Sequence, residues 1–84
     1  MKILKFYTDT CENCKKSVDI LKDIEADIEN INALENVYLV DKYNIFMVPA
    51  LIFLDDSGLE VRRLLGPVDI EKVKEILNEY QQVS

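Results

Sequence analysis

An apolar run from Ile3 to Thr8 meets a helix-like run beginning at Lys15 across four residues, Cys11-Glu12-Asn13-Cys14. This junction constrains the fold more than any other feature. Two cysteines three positions apart at a helix entrance lie close enough to cycle between dithiol and disulfide. The helix terminus adds a chemical bias, because unpaired N–H groups and a dipole of about half a positive charge favour a thiolate there. The junction therefore points to a strand that hands its last residues to a helix, and to thiol–disulfide exchange.

The rest of the chain reads outward from that point. Lys2 to Thr8 is rich in apolar and aromatic residues and stops at Asp9-Thr10, which suggests a buried strand with Thr10 placed to cap the next helix. From Lys15, the residues Val18, Leu21, Ile24, Ile28 and Ile31 recur at spacings of three and four, with charged residues between them. That spacing predicts an amphipathic helix of about five turns. Asn36 to Asp41 reads as a second short strand. A strand–helix–strand unit implies a parallel pair with a right-handed crossover, and places Cys11 at the carboxyl end of the first strand, where α/β sheets usually keep their sites. Ala50 to Leu54 and Leu59 to Leu65 flank Asp55-Asp56-Ser57-Gly58, a hairpin turn whose Gly can take positive φ. Gly66-Pro67 ends the second of these strands. Asp69 is a good N-cap, and Ile70, Val73, Ile76, Leu77 and Tyr80 form the inner face of a last helix. No repeat, linker or biased segment interrupts the 84 residues, so 1–84 is expected to be a single domain.

Charge and cysteine usage then narrow the chemistry. A net charge of −6 opposes binding to phosphate backbones or anionic membrane surfaces, so neither nucleic acid nor membrane is expected as a partner. The N-terminal apolar stretch is too short for a signal peptide and nothing approaches a membrane span, which leads us to expect a cytoplasmic protein. In a reducing compartment, paired cysteines are more often metal-binding or catalytic than structural. Structural zinc takes nearly all of about four ligands from Cys and His, and this chain offers two Cys and no His. A metal site would need carboxylates or a second copy of the motif in a dimer, so neither metal nor cofactor is expected. The absence of His also excludes Cys–His and Ser–His–Asp hydrolases.

The order strand, CxxC, helix, strand, Val-Pro, hairpin, Gly, helix resembles the thioredoxin and glutaredoxin superfamily across nearly the whole chain. Lys42-Tyr43-Asn44-Ile45-Phe46-Met47-Val48-Pro49-Ala50 looks like the segment that leads into the cis-proline loop of thioredoxins, and Gly58 and Gly66 fall where thioredoxins place glycines. The chain begins at the strand before the CxxC, as in the short, glutaredoxin-sized members. The resemblance implies an α/β minimal thioredoxin fold: a four-stranded mixed sheet, order 2-1-3-4, with helices on both faces. It implies a thiol–disulfide oxidoreductase with Cys11 as nucleophile and Cys14 as resolving thiol. The Val48 backbone, ahead of a cis Pro49, would pair with an extended protein substrate, and Met47, Phe46 and Thr10 would border it. The expected partners are disulfide-containing proteins and a reductase that donates electrons to a monomer, with exchange in the reducing direction. The rival reading is an adaptor module of the same fold without redox turnover.

Three departures from the family pattern bear on tuning. Glu12-Asn13 replaces the usual Gly-Pro or Pro-Tyr between the cysteines; Glu12 opposes a Cys11 thiolate while Lys15 and Lys16 favour it. Thr10 stands where thioredoxins carry Trp, which removes apolar surface from the substrate rim. Lys5 occupies the strand position where thioredoxins usually carry a buried acid that helps move protons at the resolving Cys, so that relay does not carry over to this chain; Lys5 would either stabilise a thiolate or extend its ammonium to solvent, the second being the expectation. Met47-Val48-Pro49 and the single Gly66 also depart from the glutathione-binding segments of glutaredoxins, so a protein substrate is favoured.

Overall fold

A computed structural model describes residues 1–81. Its elements are β1 (Lys2–Tyr7), α1 (Glu12–Leu21), β2 (Asp27–Asn32), α2 (Val37–Lys42), β3 (Ala50–Leu54), β4 (Glu60–Leu65) and α3 (Ile70–Gln81). The sheet order is β2-β1-β3-β4. β1 and β2 are parallel, and β1·β3 and β3·β4 are antiparallel. This is the expected mixed sheet.

Both faces of the sheet are covered, as strand alternation requires. Ile3, Leu51 and Phe53 pack with Leu21 of α1 and Val73, Ile76 and Leu77 of α3. On the opposite face, Leu4, Phe6, Ile31, Ala50, Ile52 and Leu54 pack beneath Leu39 and Val40 of α2 and the following Tyr43, Ile45 and Val48. Asp69 caps α3 as expected, its Oδ1 accepting the Glu71 N–H at 3.0 Å. The hairpin turn closes on Gly58 at φ 89°.

Two elements differ from the sequence reading. The first helix ends at Leu21 instead of running on to Ile31, and the segment read as its second half contains β2. Ile28 packs with the α1/α3 layer while Ile31 is buried beneath α2. A strand covered on both faces can carry apolar residues three apart and so imitate a helical stripe. Correspondingly, the segment read as the second strand, Asn36 to Asp41, lies mostly in α2. Its β-branched and aromatic residues suggested a strand, but tertiary packing of Leu39, Val40 and Tyr43 selects the helix. The inner face of α1 is also shifted from the expected one. Cys14, Ser17 and Leu21 are buried, and Val18 is 59% exposed.

Candidate active site

β1 delivers the chain to the carboxyl edge of the sheet, where a short turn joins it to α1; the Cys11 N–H donates to the Thr8 carbonyl at 3.3 Å. Thr10, the expected cap, is exposed, and Cys11 holds the N-cap position instead. Its Sγ accepts the Cys14 N–H at 3.1 Å and its carbonyl accepts the Lys15 N–H at 3.1 Å. An anionic sulfur at Cys11 would thus meet a backbone donor and the positive end of the helix dipole together.

Cys11 and Cys14 form a disulfide with Cα atoms 5.1 Å apart. They are unequally placed. Cys11 is partly exposed, whereas Cys14 sits one turn into α1 at 3% exposure. Beneath it, the buried Ser17 hydroxyl donates to the Cys14 carbonyl. Ser17 was not singled out in the sequence, although its three-residue spacing from Cys14 and four-residue spacing from Leu21 carried the signal. The opposed charges beside Cys11 meet each other: Lys15 Nζ lies 3.7 Å from the Glu12 carboxylate in an exposed pair.

The second part of the site is the loop before β3. The Val48–Pro49 peptide bond is cis. Pro49 is fully buried, and its carbonyl accepts the Gly66 N–H at 2.9 Å. Because Ala50 pairs with Phe6, Pro49 lies at the same edge of the sheet as the turn that carries Cys11. Gly66 adopts φ 84°, and a side chain there would meet Met47 Cε at 3.7 Å. Val48 is partly buried, Met47 is exposed, and Phe46 is 78% exposed, so neither Met47 nor Phe46 is a core residue.

Lys5 is the main correction at the site. The expectation was an ammonium extended to solvent, but Lys5 is 4% exposed, on the sheet face covered by α1 and α3. Desolvation lowers its pKa from the ordinary 10.5. The alternating strand directs Lys5 inward with Ile3 and Tyr7, and it pairs across β2 with Asn30 and across β3 with Leu51. Among the described residues, no group of three or more His, Cys, Asp or Glu could hold a metal ion.

A dithiol–disulfide pair at a helix N-terminus, facing a cis-proline loop on a four-stranded mixed sheet, defines a thiol–disulfide exchange class of protein. A family model described as a thioredoxin-like domain matches residues 2–81, and the chain belongs to that family. It is 31% identical to a thioredoxin from Buchnera aphidicola, over 93% of this chain and 76% of that one. It is 26% identical to an SPbeta prophage-derived thioredoxin-like protein of Bacillus subtilis, over 79% of this chain and 82% of that one. Among solved structures, thioredoxin 1 from Thermosipho africanus superimposes with a TM-score of 0.81 at 32% identity, covering 99% of this chain and 97% of its own. Family and site together support a thiol–disulfide oxidoreductase. Among the described residues, no helix is long and apolar enough to cross a membrane.

Proposed function

We propose that this protein reduces disulfides in other proteins, with Cys11 as the attacking thiolate and Cys14 as the resolving thiol. The observation that carries the reading is the asymmetry of the pair. Cys11 is accessible and receives an N–H at the helix N-cap, whereas Cys14 is enclosed. In the forward direction, the Cys11 thiolate attacks one sulfur of a substrate disulfide and expels the other as a thiolate. Cys14 then attacks Cys11 Sγ, which releases the second substrate thiol and leaves the Cys11–Cys14 disulfide. A reductase or small dithiol must return two electrons for the next turnover.

The substrate segment runs alongside the Val48 backbone as an added strand, with Met47, Phe46 and Thr10 bordering it and Pro49 shaping the loop. Thr10 in place of a large aromatic leaves this border small, which suits less bulky segments around the substrate cysteine. A cytoplasmic, monomeric protein working in the reducing direction fits this scheme, since direction follows from potential relative to the compartment.

The test is reduction of a disulfide-bonded protein by catalytic amounts of the chain with a dithiol as donor, together with the potential of the Cys11/Cys14 couple. Turnover should vanish in Cys11→Ser, and Cys14→Ser should accumulate a mixed disulfide with substrate. A potential between roughly −280 and −180 mV is expected, with the low end marking a reductant. A disulfide that stays oxidised below about −300 mV, or partner binding that survives replacement of both cysteines without any turnover, would move the reading to an adaptor module.

A further inference from the structure

β1 carries an amino group to the α1 face, and no other residue of the domain meets it. Lys5 is 4% exposed and, among the described residues, forms no hydrogen bond or ion pair. No buried side-chain nitrogen or oxygen among those residues is sealed from solvent without a partner, so the Lys5 amine keeps an accessible surface. That surface lies in a cleft of about 500 Å³ bounded by α1, the end of β1 and the edge strand β2. A cleft of that volume holds a small organic molecule.

The walls are of two kinds. Val18, Leu21 and Ile28 line the cleft with aliphatic surface, and Val18 is 59% exposed, so an apolar wall faces water. Beside Lys5 the lining is polar: the Tyr7 hydroxyl and the Asn30 amide are further hydrogen-bond donors, and Asn30 is the direct partner of Lys5 in the β1–β2 register. Of the other charged groups on the walls, Lys15 is engaged by Glu12 at 3.7 Å and Asp9 is an exposed carboxylate. The cleft therefore offers one unanswered positive charge next to aliphatic surface, while Asp9 opposes a ligand that brings a second negative charge. Desolvation disfavours the Lys5 ammonium, and an anion seated against it would offset that cost. Of the residues assigned to exchange, Cys14 alone reaches the cleft. β1 stands between β2 and β3, so the cleft and the Pro49 loop lie on opposite sides of that strand.

We propose that this cleft is a binding site for a small aliphatic monocarboxylic acid, with the carboxylate on the Lys5 ammonium and the hydrocarbon chain along Val18, Leu21 and Ile28. Tyr7 and Asn30 supply donors for the remaining carboxylate lone pairs. Binding requires no turnover of the cysteines, so the site stands or falls independently of the exchange reading.

The oxidised protein is titrated at neutral pH with butanoate, hexanoate, hexan-1-ol and adipate, and amide NMR shifts give both affinity and location. Hexanoate should saturate one site, with shifts centred on Lys5, Val18, Ile28 and Asn30. It should bind about tenfold more tightly than hexan-1-ol, the low end for a hydrogen bond to a charged group. Butanoate, two methylenes shorter, should bind about tenfold more weakly than hexanoate. Adipate, with the same carbon count, should also bind more weakly, because its second carboxylate meets the aliphatic wall or Asp9. Lys5→Met should lose the preference for hexanoate while still binding hexan-1-ol, which shows that its cleft is formed. Val18→Asp, a change at an exposed position, should abolish hexanoate binding. Equal affinity for hexanoate and hexan-1-ol, tighter binding of adipate, shifts centred outside the cleft, or a Lys5→Met variant that keeps the preference overturns the proposal. Tighter binding of N-acetylglutamate α-amide than of hexanoate would make the occupant an acidic side chain of another protein, and so overturn the free acid.

Discussion

The two faces of the sheet share the same strands and differ chiefly in what β1 sends to each. Toward α2 it sends Leu4 and Phe6, and the layer they join is apolar throughout. Toward α1 and α3 it sends Ile3 and Lys5, so that layer is apolar around Ile3, Leu51 and Phe53 and then opens on a cleft that Lys5 and Cys14 both line. One face is built to hold the domain together. The other gives up continuity of its core at the edge where the cysteines sit. Burying an ionisable group costs stability, and among the described residues the α2 face buries none.

That contrast predicts effects of opposite sign for neighbouring residues of one strand. Phe6→Ala removes a fully buried ring from the α2 face and should cost about 3–5 kcal/mol, which is a large share of a small domain's stability. Urea unfolding would measure it, and a cost near zero would mean that the α2 layer is not what holds the sheet. Lys5→Met, one residue away on the other face, should instead stabilise the fold. The gain is on the order of 1 kcal/mol, equivalent to roughly 4–8 °C in Tm for a domain of this size. A destabilised Lys5→Met would place Lys5 among the supports of the fold and blur the division between the faces.

The pH dependence sharpens the same comparison. Desolvation lowers the Lys5 pKa in the folded protein below its ordinary 10.5. Between the folded value and 10.5 the unfolded chain binds more protons than the folded one, so stability rises with pH across that window. The penalty is complete on the acid side of the window and fades as pH climbs through it. The advantage of Lys5→Met over the unmodified protein should therefore be largest on the acid side of that window and shrink as pH climbs through it toward 10.5, as read from paired urea midpoints. An advantage that held constant with pH would trace to side-chain packing and not to charge.

Much of this site was legible in the sequence because it rests on local signals. The CxxC at a strand–helix junction, Val48-Pro49 ahead of the hairpin, Gly66 after it and Asp69 as a cap all act through backbone geometry near their own positions. The parts that misled depend on what lies across the sheet. Ile28 and Ile31 share a helical spacing with Val18, Leu21 and Ile24, and only the presence of a layer on each face shows that they point in opposite directions. Lys5 is the same problem in miniature. A lysine in a strand ordinarily reaches water along its stem, and only α1 lying over β1 encloses it. The inner face of α1 was readable in principle, since Cys14, Ser17 and Leu21 follow helical spacing, but a buried serine carries little weight in an apolar pattern.

The far end of the sheet supplies the mildest test of the division. Asp55 Oδ1 accepts the Ser57 hydroxyl at 2.7 Å and the Ser57 and Leu59 N–H groups at 2.9 and 3.0 Å. The Ser57 hydroxyl and then the backbone donors hold its carboxyl below the usual 3.8. A lowered folded value means the turn contributes stability above that usual value, and loses it as pH falls through the folded one. Asp55→Asn should lower Tm by a few degrees at neutral pH, and the two proteins should converge in acid. Leu54 pairs with Lys2 at the start of β1, at the opposite edge from Cys11, so both steps of thiol exchange should run at unchanged rates in this variant. If the Cys14 step slowed when only this turn was loosened, β3 would be transmitting strain from the hairpin to the Pro49 loop. The redox edge would then depend on the whole length of the sheet and not on its own residues.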